Sequence, residues 1–160
     1  MAMDITFRTP EGRFNYRVCA VILNGEYLLA MKDERSPYYY LPGGRVMLHE
    51  TAEEAVLREV REELGIVARI DRALWLNQSF FTEDVSGERY HELCVYYLLD
   101  IADTDLLTRG DVFRGIERHH RQVFEWLSFA RVEREYLYPL FIKKHIRQLP
   151  SSLEMMTEFE

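Results

Sequence analysis

The sequence predicts a mixed α/β domain in which helices cover a largely mixed β-sheet. Three observations support this fold class: a continuous apolar run at residues 18–23, hairpin signals at residues 24–25 and 86–87, and a strongly marked helix over residues 52–64. The chain has 160 residues, of which 48% are hydrophobic, so its length fits one domain with a substantial core.

The remaining elements follow in order along the chain. The apolar run is typical of a strand buried on both faces, and the Asn-Gly pair after it leads into a returning strand at residues 27–31. A short extended stretch at residues 38–41 follows, and residues 104–122 are polar and loop-like with some local helix. Later strands are predicted at residues 73–82, 89–99 and 123–129, and a closing helix, with a proline at its start and another past its end, at residues 139–149.

Composition bounds the domain organisation and the class of partner. We expect one domain over residues 1–150 and a weakly specified tail at residues 151–160. Acidic residues number 27 against 20 Lys and Arg, for a net charge of -7, which disfavours a stable nucleic-acid partner because such binding relies on cationic contacts to phosphates.

No secretory signal or membrane-length apolar run is visible, so we expect a cytoplasmic protein without a membrane span. Cys19 and Cys94 fit small buried hydrophobes, with a disulfide or a reactive thiol as the alternative.

The helix over residues 52–64 is marked at both ends. Thr51 followed three residues later by Glu54 forms a capping box, and Gly65 stands where a helix ends in the left-handed conformation. At about 100° per residue, its apolar side chains share one arc, which we predict to face the core. The residues of this arc are Val56, Leu57, Val60 and Leu64.

Three acids, Glu59, Glu62 and Glu63, occupy a neighbouring arc of the same helix. Like charges at i, i+4 repel, whereas a solvated helix face usually alternates its signs, so a solvated face is the weaker interpretation. A hard divalent cation such as Mg²⁺ relieves this repulsion by binding carboxylate oxygens. The turn at Gly43-Gly44 lacks side-chain bulk, so a backbone carbonyl can reach the same cation, although a Gly-Gly pair alone is also typical of a simple turn.

Residues 44–66 resemble the complete Nudix box. That motif reads Gly-x5-Glu-x7-Arg-Glu-U-x-Glu-Glu-x-Gly-U, where U is a bulky aliphatic residue, and every fixed position matches from Gly44 to Ile66. The order of the predicted hairpin, strands and closing helix is similar to that of Nudix domains. The resemblance implies a Nudix-type α/β/α sandwich with a mixed β-sheet. It also implies hydrolysis of a nucleoside diphosphate linked to another moiety, with Mg²⁺ or Mn²⁺ as cofactor.

The resemblance further implies roles for individual residues. Arg58 would orient the glutamates, and Glu50 would support it in an ion-pair network. Glu59, Glu62 and Arg58 are therefore the implied catalytic residues. The implied metal ligands are the Gly43 carbonyl, Glu59, Glu62 and Glu63.

The catalytic base stays open because members of the family differ. Glu59 is the first choice within the box, and many relatives add an acid from a later loop, where Glu117 stands at a comparable place. His119 and His120 fit loop residues better than ligands, and His49 stands where many relatives carry glycine, which puts the local loop conformation in doubt. The acids that compete with Glu117 are Glu83, Asp84 and Glu92.

Substrate contacts are expected from residues near the box. Tyr38 and Tyr40 share one face of their extended stretch, so one of them can stack on a base, with packing against the sheet as the alternative. Arginines nearby are candidate contacts to phosphate or sugar: Arg13, Arg17, Arg35 and Arg45. From these candidates we select Tyr40, Arg45 and Arg17 as the substrate-binding set.

Two function classes follow from these residues. The leading one is a metal-dependent pyrophosphohydrolase that acts on a small nucleoside diphosphate derivative. The alternative is a non-catalytic Nudix-like module that binds nucleotides or regulates, but such modules commonly lose box glutamates that this chain keeps. Exposed edge strands would permit a homodimer.

Overall fold

The computed structural model describes residues 2–116 and 121–160 and confirms the predicted α/β class. Its strands form two sheets within these residues, and helices pack against both sides. In chain order the strands are β1 (Thr6–Thr9), β2 (Gly12–Val21), β3 (Leu23–Asn24), β4 (Tyr27–Lys32), β5 (Gly43–Arg45), β6 (Arg69–Thr82), β7 (Arg89–Asp100), β8 (Val112–Arg114), β9 (Val123–Ser128) and β10 (Glu154–Phe159). The helices are α1 (Ala52–Leu64), α2 (Phe129–Arg134) and α3 (Ile142–His145).

The larger sheet is mixed, as predicted. Over the described residues its order is β1-β2-β7-β6-β10, and β5 also pairs with β2, close to the start of the first helix. β2 runs parallel to β7 and β10 runs parallel to β6, whereas the other pairs are antiparallel. The smaller sheet has the order β3-β4-β9-β8 and contains the hairpin that the Asn-Gly pair predicted.

Two hydrophobic cores lie on opposite faces of the sheets. Val18 and Ala20 of β2 belong to the core under α1, whereas Val21 belongs to the core under α2 and α3. This alternation explains the continuous apolar run, because both faces of the strand are buried. The layers therefore form the predicted α/β/α sandwich. Within the described residues, none of the helices has the length and apolar character needed to cross a bilayer.

Helix α1 has the ends that its sequence predicts. The Thr51 side chain accepts a bond from the Glu54 N–H at 3.0 Å, and the Glu54 carboxylate accepts from the Thr51 N–H at 3.1 Å. Gly65 closes the helix with φ of 68°. Just before the helix, the exposed His49 has φ of 70°, in the left-handed region that favours glycine. His49 thus holds the backbone conformation for which glycine is better suited.

The predicted closing helix is mostly wrong. In place of a helix over residues 139–149, the structure has the single turn α3, and α2 follows β9 without having been predicted. Just before this segment, the Tyr39 N–H bonds the Tyr136 carbonyl at 2.8 Å and the Tyr138 N–H bonds the Tyr39 carbonyl at 3.0 Å. Within residues 139–149 the chain includes turns with i→i+3 bonds, such as that from the Lys143 N–H to the Leu140 carbonyl at 3.2 Å. The local helix signal therefore yields a single helical turn.

The tail is also better defined than expected. Residues 151–160 contain β10, which lies parallel to β6 with Met156 opposite Asn77 and Glu158 opposite Ser79. The partner strand lies far away in sequence, so no local hairpin signal marks this pairing. The expected long loop likewise contains a 3₁₀ turn at Leu106–Thr108 and the short strand β8.

Removal of the N-terminal cap gives the first test of the fold. Thr51→Ala should lower the free energy of unfolding by about 1 kcal/mol, because the Glu54 N–H loses its acceptor. Urea denaturation followed by circular dichroism measures the change. Thr51→Ser keeps a hydroxyl acceptor and should stay close to the wild type; an equal loss in both variants would contradict the capping role.

Candidate active site

The acidic side of α1 lies along the outer edge of β5. Gly44 forms the hydrogen-bonded pair with β2, so in this antiparallel ladder the backbone groups of Gly43 and Arg45 point away from β2. The Gly43 N–H donates to Glu63 Oε1 at 3.1 Å, and the Arg45 carbonyl accepts from Arg58 Nη2 at 3.0 Å. The Gly43 carbonyl shares this outward direction, toward the acids of the helix.

The two glycines allow this close approach. A Cβ atom on Gly44 would lie 2.3 Å from the carboxyl carbon of Glu59, and one on Gly43 would lie 2.1 Å from the carbonyl oxygen of Val18. A side chain at position 44 would displace a carboxylate, whereas one at position 43 would collide with backbone. The Gly-Gly pair is therefore a packing requirement of this site as well as a turn.

Arg58 holds the acids of the box together. Its Nε and Nη2 donate to the two oxygens of Glu50 at 2.7 and 3.0 Å, which is a bidentate ion pair. Its Nη1 donates to Glu59 Oε1 at 2.9 Å and lies 3.3 Å from Glu62 Oε2. The structure thus brings Arg58 into contact with three of the acids that the sequence singled out.

The environment shifts the pKa values of the Glu50 and Glu59 carboxyl groups in opposite directions. Bonds from Arg58 hold the pKa of Glu50 below its usual value, although partial burial opposes them. Burial raises the pKa of Glu59, and the bond from Arg58 offsets only part of that rise. Glu59 is therefore the acid of the pair that takes up a proton more readily.

Glu62 and Glu63 point to different surroundings. The Glu62 side chain is 49% exposed, whereas Glu63 is 2% exposed and accepts from Gln122 Nε2 at 3.4 Å. Over the described residues, no cluster of three or more His, Cys, Asp or Glu side chains has the arrangement of a metal site. The predicted convergence of all three glutamates on one cation stays a prediction.

The residues present nevertheless suit a hard cation. Glu59, Glu62 and Glu63 offer carboxylate oxygens from one helix side, and the Gly43 carbonyl faces the same way, which is the ligand type that Mg²⁺ prefers. In the described part of the chain, the buried Gln122 Oε1, beside Glu63, has no hydrogen-bond donor. Gln122 was not singled out from the sequence, because its proximity to α1 depends on the path of the 104–122 loop.

A cavity of about 370 Å³ opens beside the box, within the size range of small-molecule sites. The predicted substrate residues Tyr40, Arg45 and Arg17 all line it, and so do Tyr38 and Arg35. Arg13 does not line this cavity; it lies at the far end of β2, where its Nε donates to Thr6. Three of the four candidate arginines therefore lie in the cavity wall.

The tyrosines before the box alternate as predicted. Tyr38 and Tyr40 face the cavity, whereas Tyr39 is buried and donates to Glu125 Oε1 at 2.8 Å. The Tyr40 hydroxyl donates to Asp33 Oδ2 at 2.5 Å, and the same carboxylate binds the Arg35 guanidinium. Tyr40 is therefore held by a fixed polar partner, with its ring in the cavity wall.

Arg17 and Arg45 lie opposite each other on β2 and β5. Burial disfavours the charged form of Arg17, but the nearby Glu92 carboxylate opposes it and the pKa of Arg17 is raised overall, so the guanidinium stays charged. The buried Arg45 Nε has no acceptor among the described residues. Arg45 Nη1 lies 3.5 Å from Asp4 Oδ2, so in the part of the chain that the structure describes the guanidinium has one acidic neighbour and one buried donor without an acceptor.

Of the candidate loop acids, three lie in the cavity wall and one lies outside the described residues. Glu83, Asp84 and Glu92 line the cavity, and Asp84 accepts bonds from the Tyr136 and Tyr138 hydroxyls. Glu117, His119 and His120 lie outside the described residues, so their predicted roles stay predictions. Cys19 and Cys94 are buried free thiols in the cavity wall, with their sulfur atoms 3.6 Å apart.

Several cavity residues were missed by sequence reasoning. Asn77, Glu158 and Glu160 line the cavity, although β10 was expected to be a weakly specified tail. Asn77 lies within the strand predicted at residues 73–82, whereas residues 154–160 do not alternate strictly between polar and apolar, so no local pattern marks Glu158 and Glu160.

Comparison with known proteins identifies the family of this chain. A family model described as the NUDIX domain matches residues 13–149. The chain is 29% identical over 97 residues to an ADP-ribose pyrophosphatase of Methanocaldococcus jannaschii. This alignment covers 59% of this chain and 55% of that protein. It is 46% identical over 54 residues to a putative 8-oxo-dGTP diphosphatase of Bacillus subtilis, or 34% of this chain and 32% of that one. The chain thus spans about half or less of these relatives.

Solved structures share the fold. A mutator MutT protein from Bacillus halodurans superposes with a TM-score of 0.63 at 16% identity, covering 91% of this chain and 89% of that one. An ADP-ribose pyrophosphatase from Streptococcus suis gives a TM-score of 0.53 at 14% identity, covering 90% and 98%. At such identities the likeness concerns the fold alone.

The Glu50–Arg58 pair gives a pH-dependent prediction. Glu50→Gln should lower the free energy of unfolding at pH 7 by about 1.5–3 kcal/mol, because bonds to a charged group are lost. The pKa of Glu50 is lowered below its usual 4.5, so the pair stabilises fully above that pH. The difference between variant and wild type should therefore shrink as pH falls below 4.5. Urea titrations at several pH values measure it, with the exposed Glu11→Gln as control; a pH-independent difference would contradict the ion pair.

Proposed function

Because the chain belongs to the Nudix family, we propose that it is a hydrolase of the diphosphate linkage in a nucleoside diphosphate joined to another moiety. We include Mg²⁺ or Mn²⁺ in this proposal as the cofactor. The observation that carries it is the contact between the Gly43-Gly44 turn and the Arg58-ordered acids, next to the cavity lined by Arg17 and Arg45.

The box residues are the proposed metal site. Glu59, Glu62 and Glu63, with the Gly43 carbonyl, would hold the cation on the side of α1 that faces β5. When bound, Mg²⁺ supplies neutralisation of phosphate charge and activation of the attacking water. Arg58 fixes the Glu59 carboxylate through a 2.9 Å bond and offsets the repulsion among the acids. It acts as a positioning residue for these acids.

The other residues bind and orient the substrate. Arg17 and Arg45 present cationic groups next to the glycine turn, so we assign them to the diphosphate. Glu59 is our choice for the group that accepts the proton of the attacking water, because it lies against Gly44 and is shielded from bulk solvent. Tyr40, anchored to Asp33, supplies a rigid wall for the nucleoside.

A release assay tests the activity. Purified protein is incubated with nucleoside triphosphates, ADP-ribose, nucleotide sugars and dinucleoside polyphosphates, with Mg²⁺, Mn²⁺ or a chelator, and the products are separated. We expect metal-dependent hydrolysis that Glu62→Gln reduces strongly. Nucleotide binding without any turnover would favour the non-catalytic module, and full activity of Glu62→Gln would refute the metal-site assignment.

The glycine pair provides a sharper test. Gly44→Ala should reduce kcat about 100-fold, because the new methyl group displaces the Glu59 carboxylate by the order of an ångström. The clash involves the end of a side chain, so the melting temperature should change little. Gly43→Ala, which meets the Val18 carbonyl, should instead destabilise the protein. Steady-state kinetics and thermal melts of both variants separate the effects; unchanged kcat in Gly44→Ala would count against Glu59.

A further inference from the structure

The cavity beside the box carries charges of both signs. Its arginines, Arg17, Arg35 and Arg45, each lie near an acid: Arg35 binds Asp33, Arg45 Nη1 lies 3.5 Å from Asp4 Oδ2, and Glu92 lies near Arg17. The end of the wall formed by β6, β10 and the β6–β7 turn carries, among the described lining residues, carboxylates without an arginine. These acids are Glu83, Asp84, Glu158 and Glu160.

The carboxylates at this end lie close enough to influence one another. Burial, together with repulsion from Glu158 and Asp84, raises the pKa of Glu160 to about 7. Glu158 is fixed by two bonds, from Asn77 Nδ2 and from the Phe141 N–H, each at 2.9 Å. Its carboxylate therefore presents acceptor oxygens in a defined orientation at this end of the cavity.

Asn77 adds an independent observation. It lines the cavity, is 1% exposed, and its Oδ1 atom has no donor among the described residues. Its amide group is oriented by Glu158, so this end combines an unsatisfied acceptor with the acceptor oxygens of the Glu158 carboxylate. A buried acceptor without a partner is costly, and a ligand that donates hydrogen bonds would satisfy it.

Aromatic rings flank the same end. Phe81 and Tyr90 stack with ring centres 5.1 Å apart, and both line the cavity. Tyr38 also lines the cavity and packs edge-on against Tyr138 at 5.0 Å. These flat surfaces suit a planar heterocycle.

The geometry points to a nucleobase that carries an exocyclic amino group, read by Asn77 together with Glu158 of the C-terminal strand. The diphosphate would then lie toward Arg17 and Arg45. The inference rests on the proposed function, since it assigns the base specificity of the same site. Glu158 is thereby a specificity-determining residue supplied by residues 151–160.

Matched substrates that differ in one amino group test this assignment. Calorimetry compares the binding of AMP with IMP and of CMP with UMP, and kinetics compare kcat/KM for ATP with ITP and CTP with UTP. We expect the amino-bearing member to be preferred about tenfold or more, through KM and binding. Glu158→Gln should remove or reverse the preference, because an amide can donate to a carbonyl-bearing base.

The control variant is Glu154→Gln, an exposed position on the same strand, which should keep the preference. Equal binding of AMP and IMP by the wild type, or an unchanged ratio in Glu158→Gln, would each overturn the inference. A thermal melt confirms that the variant is folded, and Glu158→Ala provides a second removal of the acceptor. Base-selective binding without hydrolysis would refute the proposed activity alone, so the two failures are distinguishable.

Discussion

The site depends on one guanidinium. Arg58 contacts Glu50, Glu59 and Glu62 and also bonds the Arg45 carbonyl, so it joins α1 to the strand before it. Three carboxylates on one helix side would repel without a cation. The positive charge of Arg58 offsets part of this repulsion. Its bidentate pair with Glu50 fixes the orientation of the guanidinium plane, from which Nη1 reaches Glu59 and Glu62.

That arrangement brings α1 against β5 at Gly44, where an added carbon would meet the Glu59 carboxylate. At position 43 the added carbon would instead meet the Val18 carbonyl of β2. The capping box and Gly65 set the start and end of α1, and hence which turn of the helix faces β5. The local sequence therefore controls the position of each acid to within one helical turn.

Local signals explain what could be predicted from the sequence. The caps and the apolar arc are enough to place α1, and the exact spacing of residues 44–66 is enough to group Arg58 with its acids. The closing helix was mostly wrong, since residues 139–149 form turns with i→i+3 bonds around the single helical turn α3. The strand β10 and the cavity position of Glu158 were missed because parallel pairing with β6 joins segments far apart in sequence. No local pattern could therefore group the cavity residues of β6 with those of β10.

The distribution of charge then limits how a ligand can lie. Arg17 and Arg45 are close to the glycine turn, and the unsatisfied Asn77 acceptor is next to Glu158 on the tail strand. An anionic group placed among the carboxylates would be repelled, and a hydrogen-bond donor placed against the arginines would leave their donors unpaired. A ligand with a diphosphate at one end and a donor-bearing ring at the other satisfies both. The box alone does not impose this polarity, because of these four residues only Arg45 lies within residues 44–66.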